Sequence, residues 1–379
     1  MEITDVVVHT LALPDVAARR ADGTQDAAIV EVETDTGLTG VGEADASPPV
    51  VEAIVDAPAS HDKSAGLREV LVGRDPRDVE ALYGEMYDRT YFFGRRGAAI
   101  VAISGVDMAL WDLAGKAADT PLYRLLGGGH RETVRAYAST LFPEDPTDTA
   151  AVRRAARGAR EDGFTAVKFG WGGFGEDPAT DRDLVGAARD ALGAGADLLV
   201  DAGMAWAGDP AAARADIRTL DAEADLFWVE EPVSADEYDA YRALAEATDT
   251  RVVGGEEAYT EHGFREFLDR GRPDGVQPDS ARAGGPTQMR RIATLARERG
   301  VPLYPHGFST GVVLAANLHL CAAVAGAPLV EYCVADSPLR WGVTEESFPV
   351  EDGRVAVPTG PGLGVTLDRE TLAEYATDG

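Results

Sequence analysis

Leu226-Phe-Trp-Val-Glu-Glu-Pro232 is a short apolar run that closes on acid and then proline. The same shape stands one unit earlier in Leu198-Leu-Val-Asp-Ala-Gly203 and one unit later in Val252-Val-Gly-Gly-Glu-Glu257. Further out, Val276-Gln-Pro-Asp279, Pro305-His306-Gly307 and Val330-Glu331 end apolar runs of their own. Asp201, Glu230, Glu256, Asp279, His306 and Glu331 therefore recur at gaps of 23 to 29 residues, about the length of one strand, one helix and their loops. In a repeating βα array, residues at the same edge of successive strands converge in space although they are distant in sequence.

Eight strand candidates carry this repeat: Val134–Ser139, Ala166–Gly170, Leu198–Asp201, Leu226–Glu230, Val252–Glu256, Gly275–Gln277, Val301–Pro305 and Leu329–Tyr332. Amphipathic helices such as Ala150–Glu161, Asp181–Leu192, Pro210–Leu220 and Pro286–Arg299 lie between them, and the alternation predicts a parallel (β/α)8-type barrel. A doubly wound open sheet fits less well, because no glycine fingerprint follows an early strand. Upstream, Ile3–Leu13, Ala27–Thr34 and Leu38–Glu43 read as strands, and residues 76–126 turn helical with a stripe of Ile100, Ile103, Val106, Leu110 and Leu113. The expected fold is α/β: an N-terminal α+β capping domain over 1–126, the barrel over 127–335, and a C-terminal segment, 336–379, that returns to the capping domain.

At 379 residues and 45% hydrophobic content, the chain can bury a full-sized core. A formal charge of −30 would repel phosphate and argues against nucleic acid as a partner. The acid is spread along the chain, and Lys63, Lys116 and Lys168 are the only lysines, so the other basic residues are arginine. Diffuse acidity with little lysine suggests a halophilic protein, because concentrated salt screens the self-repulsion. Cys321 and Cys333 form no disulfide framework. The start MEITDVVVHT shows no signal peptide, and the apolar stretch Val312–Val324 is too short to span a bilayer. A cytoplasmic protein with no membrane partner is expected.

Asp201, Glu230 and Glu256 end successive strands, and they supply hard oxygen ligands with no cysteine or histidine among them. Such a set favours Mg2+ over zinc. Because strands alternate faces, one of Glu230/Glu231 and one of Glu256/Glu257 is expected to point into the barrel mouth. Asp279 and His306 follow on adjacent strands, where a carboxylate can fix the imidazole tautomer and raise the basicity of the other nitrogen. His9, His61, His130, His262 and His319 read as surface or capping residues. Lys168 sits in Ala-Val-Lys-Phe-Gly-Trp-Gly on the second strand, where the acidic ring offers a buried lysine the pairing it needs.

With these residues in place, the chain resembles the enolase superfamily, specifically the acid-sugar dehydratase branch of its mandelate racemase/muconate lactonizing enzyme-like family. The resemblance runs through Thr36-Gly-Leu-Thr-Gly-Val-Gly-Glu43, Gly105-Val-Asp-Met-Ala-Leu-Trp-Asp-Leu-Ala-Gly-Lys116 and Leu125-Leu-Gly-Gly128. It continues through Trp228-Val-Glu-Glu-Pro232, Val276-Gln-Pro-Asp279, Gly284-Gly285 and Gly360-Pro-Gly-Leu-Gly364.

The resemblance implies that Asp201, Glu230 and Glu256 are magnesium ligands and that Asp279 and His306 are a base dyad. It makes Glu331 the acid that hydrogen-bonds a substrate carboxylate, and Lys168 the first lysine of a Lys-x-Lys pair. Gly170 stands where the second lysine is expected, and Gly203 replaces an asparagine. The implied reaction is Mg2+-dependent dehydration of an aldonate or aldarate to a 2-keto-3-deoxy acid, through a metal-stabilised ene-diolate. A sugar-acid lactone cycloisomerase, or a racemase or epimerase, would use the same enolisation. The family also implies a homo-oligomer, dimer-based and up to an octamer. Specificity is expected from Pro14–Thr24, including Arg19 or Arg20, and from Ala46–Pro58.

Overall fold

The computed structural model describes residues 1–17 and 22–377; Arg19 and Arg20 lie outside the described residues. Strands β1 (Ile3–Ala12), β2 (Asp26–Thr34) and β3 (Thr39–Ala44) form an antiparallel meander that opens the capping domain. Its core is the helix Ala98–Ala117, nearly every residue of which is buried. This helix is long and apolar enough to cross a membrane, but its burial inside the domain accounts for that composition. It lies directly on β3. A Cβ on Gly40 would fall 2.1 Å from the Ala109 carbonyl oxygen, and one on Gly42 would fall 2.0 Å from that of Gly105. The glycines of Thr36–Glu43 thus permit a strand and a helix to touch backbone to backbone.

The barrel is built from β4 (Thr133–Leu141), β5 (Ala166–Gly170), β6 (Asp197–Asp201), β7 (Leu226–Glu230), β8 (Arg251–Gly254) and β9 (Gly275–Val276), all parallel in that order. β10 (Leu329–Cys333) closes onto the other edge of β4. The expected seventh strand, Val301–Pro305, forms only isolated bridges, Leu303 to Val276 and His306 to Asp279. Pro302 and Pro305 carry no N–H, so the segment cannot sustain a ladder on both sides. The barrel helices begin where Asp148, Asp177 and Asp209 accept a bond from the backbone N–H three residues on.

The C-terminal segment divides its contacts between the two domains. The hairpin of β11 (Val350–Glu351) and β12 (Arg354–Ala356) pairs antiparallel with the start of β4, so this part joins the barrel sheet and does not return to the cap. The remainder does reach the cap: Arg369 pairs with Glu31, Thr377 bonds Thr10, and the Leu363 N–H donates to buried Asp112.

His319 is fully buried, contrary to the surface or capping role read from sequence. Its Nδ1 accepts from the Tyr123 N–H at 3.3 Å and its Nε2 donates to the Leu363 carbonyl at 3.0 Å, which requires the neutral ring. Burial pushes its pKa down to about 4. Below its unfolded pKa of about 6.5 the unfolded chain binds the proton and the folded one does not. Stability is therefore full above about pH 6.5 and is lost as pH falls toward 4, by about 3 kcal/mol in all. His319→Gln, which can keep both bonds, is expected to flatten this acid slope in denaturation midpoints measured from pH 7 to 4.

Candidate active site

Inside the barrel, Tyr137, Ala166, Leu199, Trp228, Val253, Tyr304 and Leu329 pack as a separate buried cluster. Trp228 lies 4.8 Å from Tyr304 and edge-on to Tyr137 at 5.4 Å. Each cluster member faces the axis, so the residue two positions later on the same strand faces it one layer higher. That step leads from Ala166 to Lys168, from Leu199 to Asp201, from Trp228 to Glu230, from Tyr304 to His306 and from Leu329 to Glu331. An apolar floor therefore carries a charged ring at the C-terminal ends of the strands, the usual place for chemistry in this fold.

The ring is tight. One carboxylate oxygen each from Asp201, Glu230 and Glu256 lies within 4.8 Å of the others, and all three residues are buried. Burial pushes Asp201 up to about 6 and Glu230 up to about 8 against the pull of Lys168, and Asp201 and Glu230 are each raised further by neighbouring acids in the ring. Three converging hard oxygens that burial and mutual repulsion penalise fit a divalent cation such as Mg2+. Asp201 is oriented by the Trp171 indole N–H at 3.1 Å and the Gly203 N–H at 2.9 Å, and Glu230 by the Trp228 indole N–H at 3.1 Å.

Lys168 is buried in the same ring, 2.6 Å from Glu230, 2.9 Å from Glu331 and 3.6 Å from Asp201. Burial opposes its charge, but Glu230 and Glu331 outweigh it and hold the ammonium well above its ordinary range. On the opposite flank, His306 Nδ1 donates to Asp279 at 2.6 Å, and the other oxygen of Asp279 accepts from the Ala281 N–H at 2.5 Å. That leaves Nε2 facing inward, 3.3 Å from Glu256 and 3.9 Å from Glu331. Burial disfavours the imidazolium, yet Glu256, Glu331 and Asp279 raise it well above its ordinary value. Glu331 links the two flanks. Despite burial, Lys168 and His306 bring it down to about 2, and it accepts from the Gly307 N–H at 2.8 Å. Ionised, Glu331 accepts hydrogen bonds, and it would have to take up a proton before donating to a substrate carboxylate.

Glu231 is buried too, but its backbone turns left-handed (φ 40°) and its side chain accepts from the Gly255 N–H. The alternation expected at Glu256 and Glu257 fails, since both line the cavity. β8 ends at Gly254, so the strand period no longer applies to them.

The cavity over the ring has a volume of about 290 Å³, at the small end of ligand pockets. Asp22, Gly23, Asp45, Ser139, Thr140 and Arg282 add polar wall to it. Of the two specificity segments, Pro14–Thr24 contributes Asp22 and Gly23. Ala46–Pro58 contributes no lining residue among those described, being mostly the helix Pro48–Asp56, and Asp45 just before it takes that place. A larger cavity of about 410 Å³ lies alongside under Tyr238, Tyr241 and Tyr259, but it contains none of the ring residues.

Sequence reasoning missed Arg282, which pairs with Asp45 at 2.9 Å and Glu257 at 3.1 Å and lies 3.6 Å from Glu256. It also missed the reason for Glu43. That side chain accepts from the Thr310 hydroxyl at 2.5 Å and from the Thr310 and Val313 N–H groups at the start of the barrel helix Gly311–Ala323. The capping domain is thereby fixed to the rim.

Two family descriptions divide the chain: residues 2–127 match the mandelate racemase/muconate lactonizing enzyme N-terminal domain, and residues 150–371 match an enolase C-terminal domain-like fold. The chain is an enolase-superfamily enzyme. It is 32% identical to D-galactarolactone cycloisomerase of Agrobacterium fabrum, over 98% of this chain and 97% of that one. It is 33% identical to arabinonate dehydratase of Saccharolobus solfataricus, over 91% of this chain and 89% of that one. A racemase from Streptomyces coelicolor A3(2), solved with bound magnesium, superposes with a TM-score of 0.85 at 30% identity over 99% of this chain and all of its own. The two curated relatives of this superfamily enzyme are thus named as a cycloisomerase and a dehydratase.

Proposed function

We propose that this enolase-superfamily enzyme dehydrates an acid sugar, an aldonate or aldarate, to a 2-keto-3-deoxy acid. The observation that carries this reading is that two proton-transferring side chains, His306 with Asp279 and Lys168, flank one small polar cavity and meet at Glu331. Dehydration asks for two such groups. One takes the hydrogen from the carbon next to the carboxylate, and the other gives a proton to the hydroxyl that leaves the next carbon as water. The resulting enol then becomes the ketone. Which flank performs which transfer follows from the configuration of the substrate.

Asp201, Glu230 and Glu256 are the residues that would hold Mg2+, whose contribution is to draw charge from the substrate carboxylate and so acidify the adjacent C–H. Glu331 and the Gly307 backbone hold the opposite side of the ring. The cap loop at Asp22 and Gly23, together with Asp45 and Arg282, supplies hydroxyl-binding groups and shields the reacting carbons from water. Similarity to a cycloisomerase over nearly the whole chain supports a second reading, opening of a sugar-acid lactone by the same first step.

A screen of aldonates, aldarates and their lactones, with Mg2+ at high salt, separates the two. Formation of 2-keto acid from an open-chain acid, abolished by EDTA, is the expected outcome. Turnover of lactones alone would replace dehydration with cycloisomerisation.

A further inference from the structure

At the mouth end of β5, Gly170 stands opposite Asp201 in the parallel register. A Cβ on Gly170 would fall 2.5 Å from the Asp201 Cβ, so no side chain fits there without pushing that carboxylate away. Trp171 follows with a left-handed backbone (φ 53°), and its indole N–H donates to Asp201 Oδ2. Its ring lies flat on Gly203, where a Cβ would meet indole carbons at 2.8 to 3.1 Å, and it forms part of the cavity wall. Of the two positions that lack the resembling family's side chains, Gly203 is kept bare by the indole and Gly170 by Asp201, the carboxylate that the indole holds.

We propose that Trp171 is a positioning residue for Asp201 and forms the wall on the β5–β6 side of the cavity. The indole N–H and the Gly203 N–H together use one lone pair on each Asp201 oxygen, and this fixes the plane in which the remaining lone pairs face the cavity. The ring lines the same cavity as Lys168 and adds apolar wall to it. This inference rests on Asp201 being a metal ligand.

The test uses the whole chain and Mg2+ titrated by calorimetry and by tryptophan emission. Trp171→Phe keeps the wall and removes the donor. Its affinity for Mg2+ is expected to fall roughly tenfold, as for other groups that orient a metal ligand, with KM for the acid sugar within about twofold of the parent. Trp171→Ala is expected to weaken Mg2+ equally, to raise KM, and to widen the range of acids accepted. Unfolding midpoints without metal that match the parent show that the effect is not one of folding. Trp171→Phe with parental Mg2+ affinity overturns the positioning role while leaving the metal site standing. A parent chain that takes up no Mg2+, or Asp201→Asn that takes it up normally, removes the metal reading and this assignment with it.

Discussion

His306→Asn is expected to lower kcat/KM on the acid-sugar substrate by about 10³-fold, within the range that positioned acid–base groups contribute. The amide is close to the imidazole in size and can still donate to Asp279, but it can neither take nor give a proton at the inward-facing position. Fold and metal uptake should survive, since His306 touches Glu256 only through Nε2 at 3.3 Å. Solvent deuterium exchange at the α-carbon gives a finer reading. If His306 removes that hydrogen, exchange vanishes with the variant; if Lys168 removes it, exchange persists while dehydration fails. Turnover within tenfold of the parent on every acid sugar would dismiss the assignment.

Lys168→Met should have the largest effect on stability. An ion pair at the surface is worth up to about 1 kcal/mol, but removing one member of a buried pair strands its partners and costs about 3–5 kcal/mol. Here the stranded groups are Glu230 and Glu331, both fully buried, at 2.6 and 2.9 Å from the lost ammonium. The metal-free variant is expected to unfold with a free energy lower by that amount in chemical denaturation, and to be inactive. Mg2+ should restore part of the loss, because Glu230 would then face a cation again. A metal-free loss under about 1 kcal/mol would show that the ring does not depend on this charge.

Periodicity made most of the barrel legible, because apolar strand runs ending on a charged residue are a local pattern that topology then gathers. Asp201 and Glu230 end their strands for that reason. Glu256 and Asp279 lie just past the ends of theirs at Gly254 and Val276, His306 is held by an isolated bridge to Asp279, and Lys168 stands mid-strand. What escaped depends on contacts between distant segments. No local pattern marks Arg282, which is held by Asp45 from 237 residues away. Nor does any local pattern set Trp171 over Gly203, which lies beneath its ring. The seventh segment falls short of a strand for a different reason. Val-Pro-Leu-Tyr-Pro has strand-like side chains, but its two prolines take away ladder donors, and hydrophobic patterning does not register a missing N–H.

The cap is attached to the barrel at several separate points. Glu43 and Asp45 bond Thr310 and Arg282, Ser104 and Asp107 bond Gly284 and Thr287, and Glu31 holds Arg369 near the far end of the chain. No single recombination breakpoint between residues 45 and 104 keeps every one of these pairs within one parent. Chimaeras of this chain with its relatives would therefore inherit mismatched seams wherever a partner differs. New substrate ranges are more readily reached by varying single lining positions such as Asp22 than by exchanging lids.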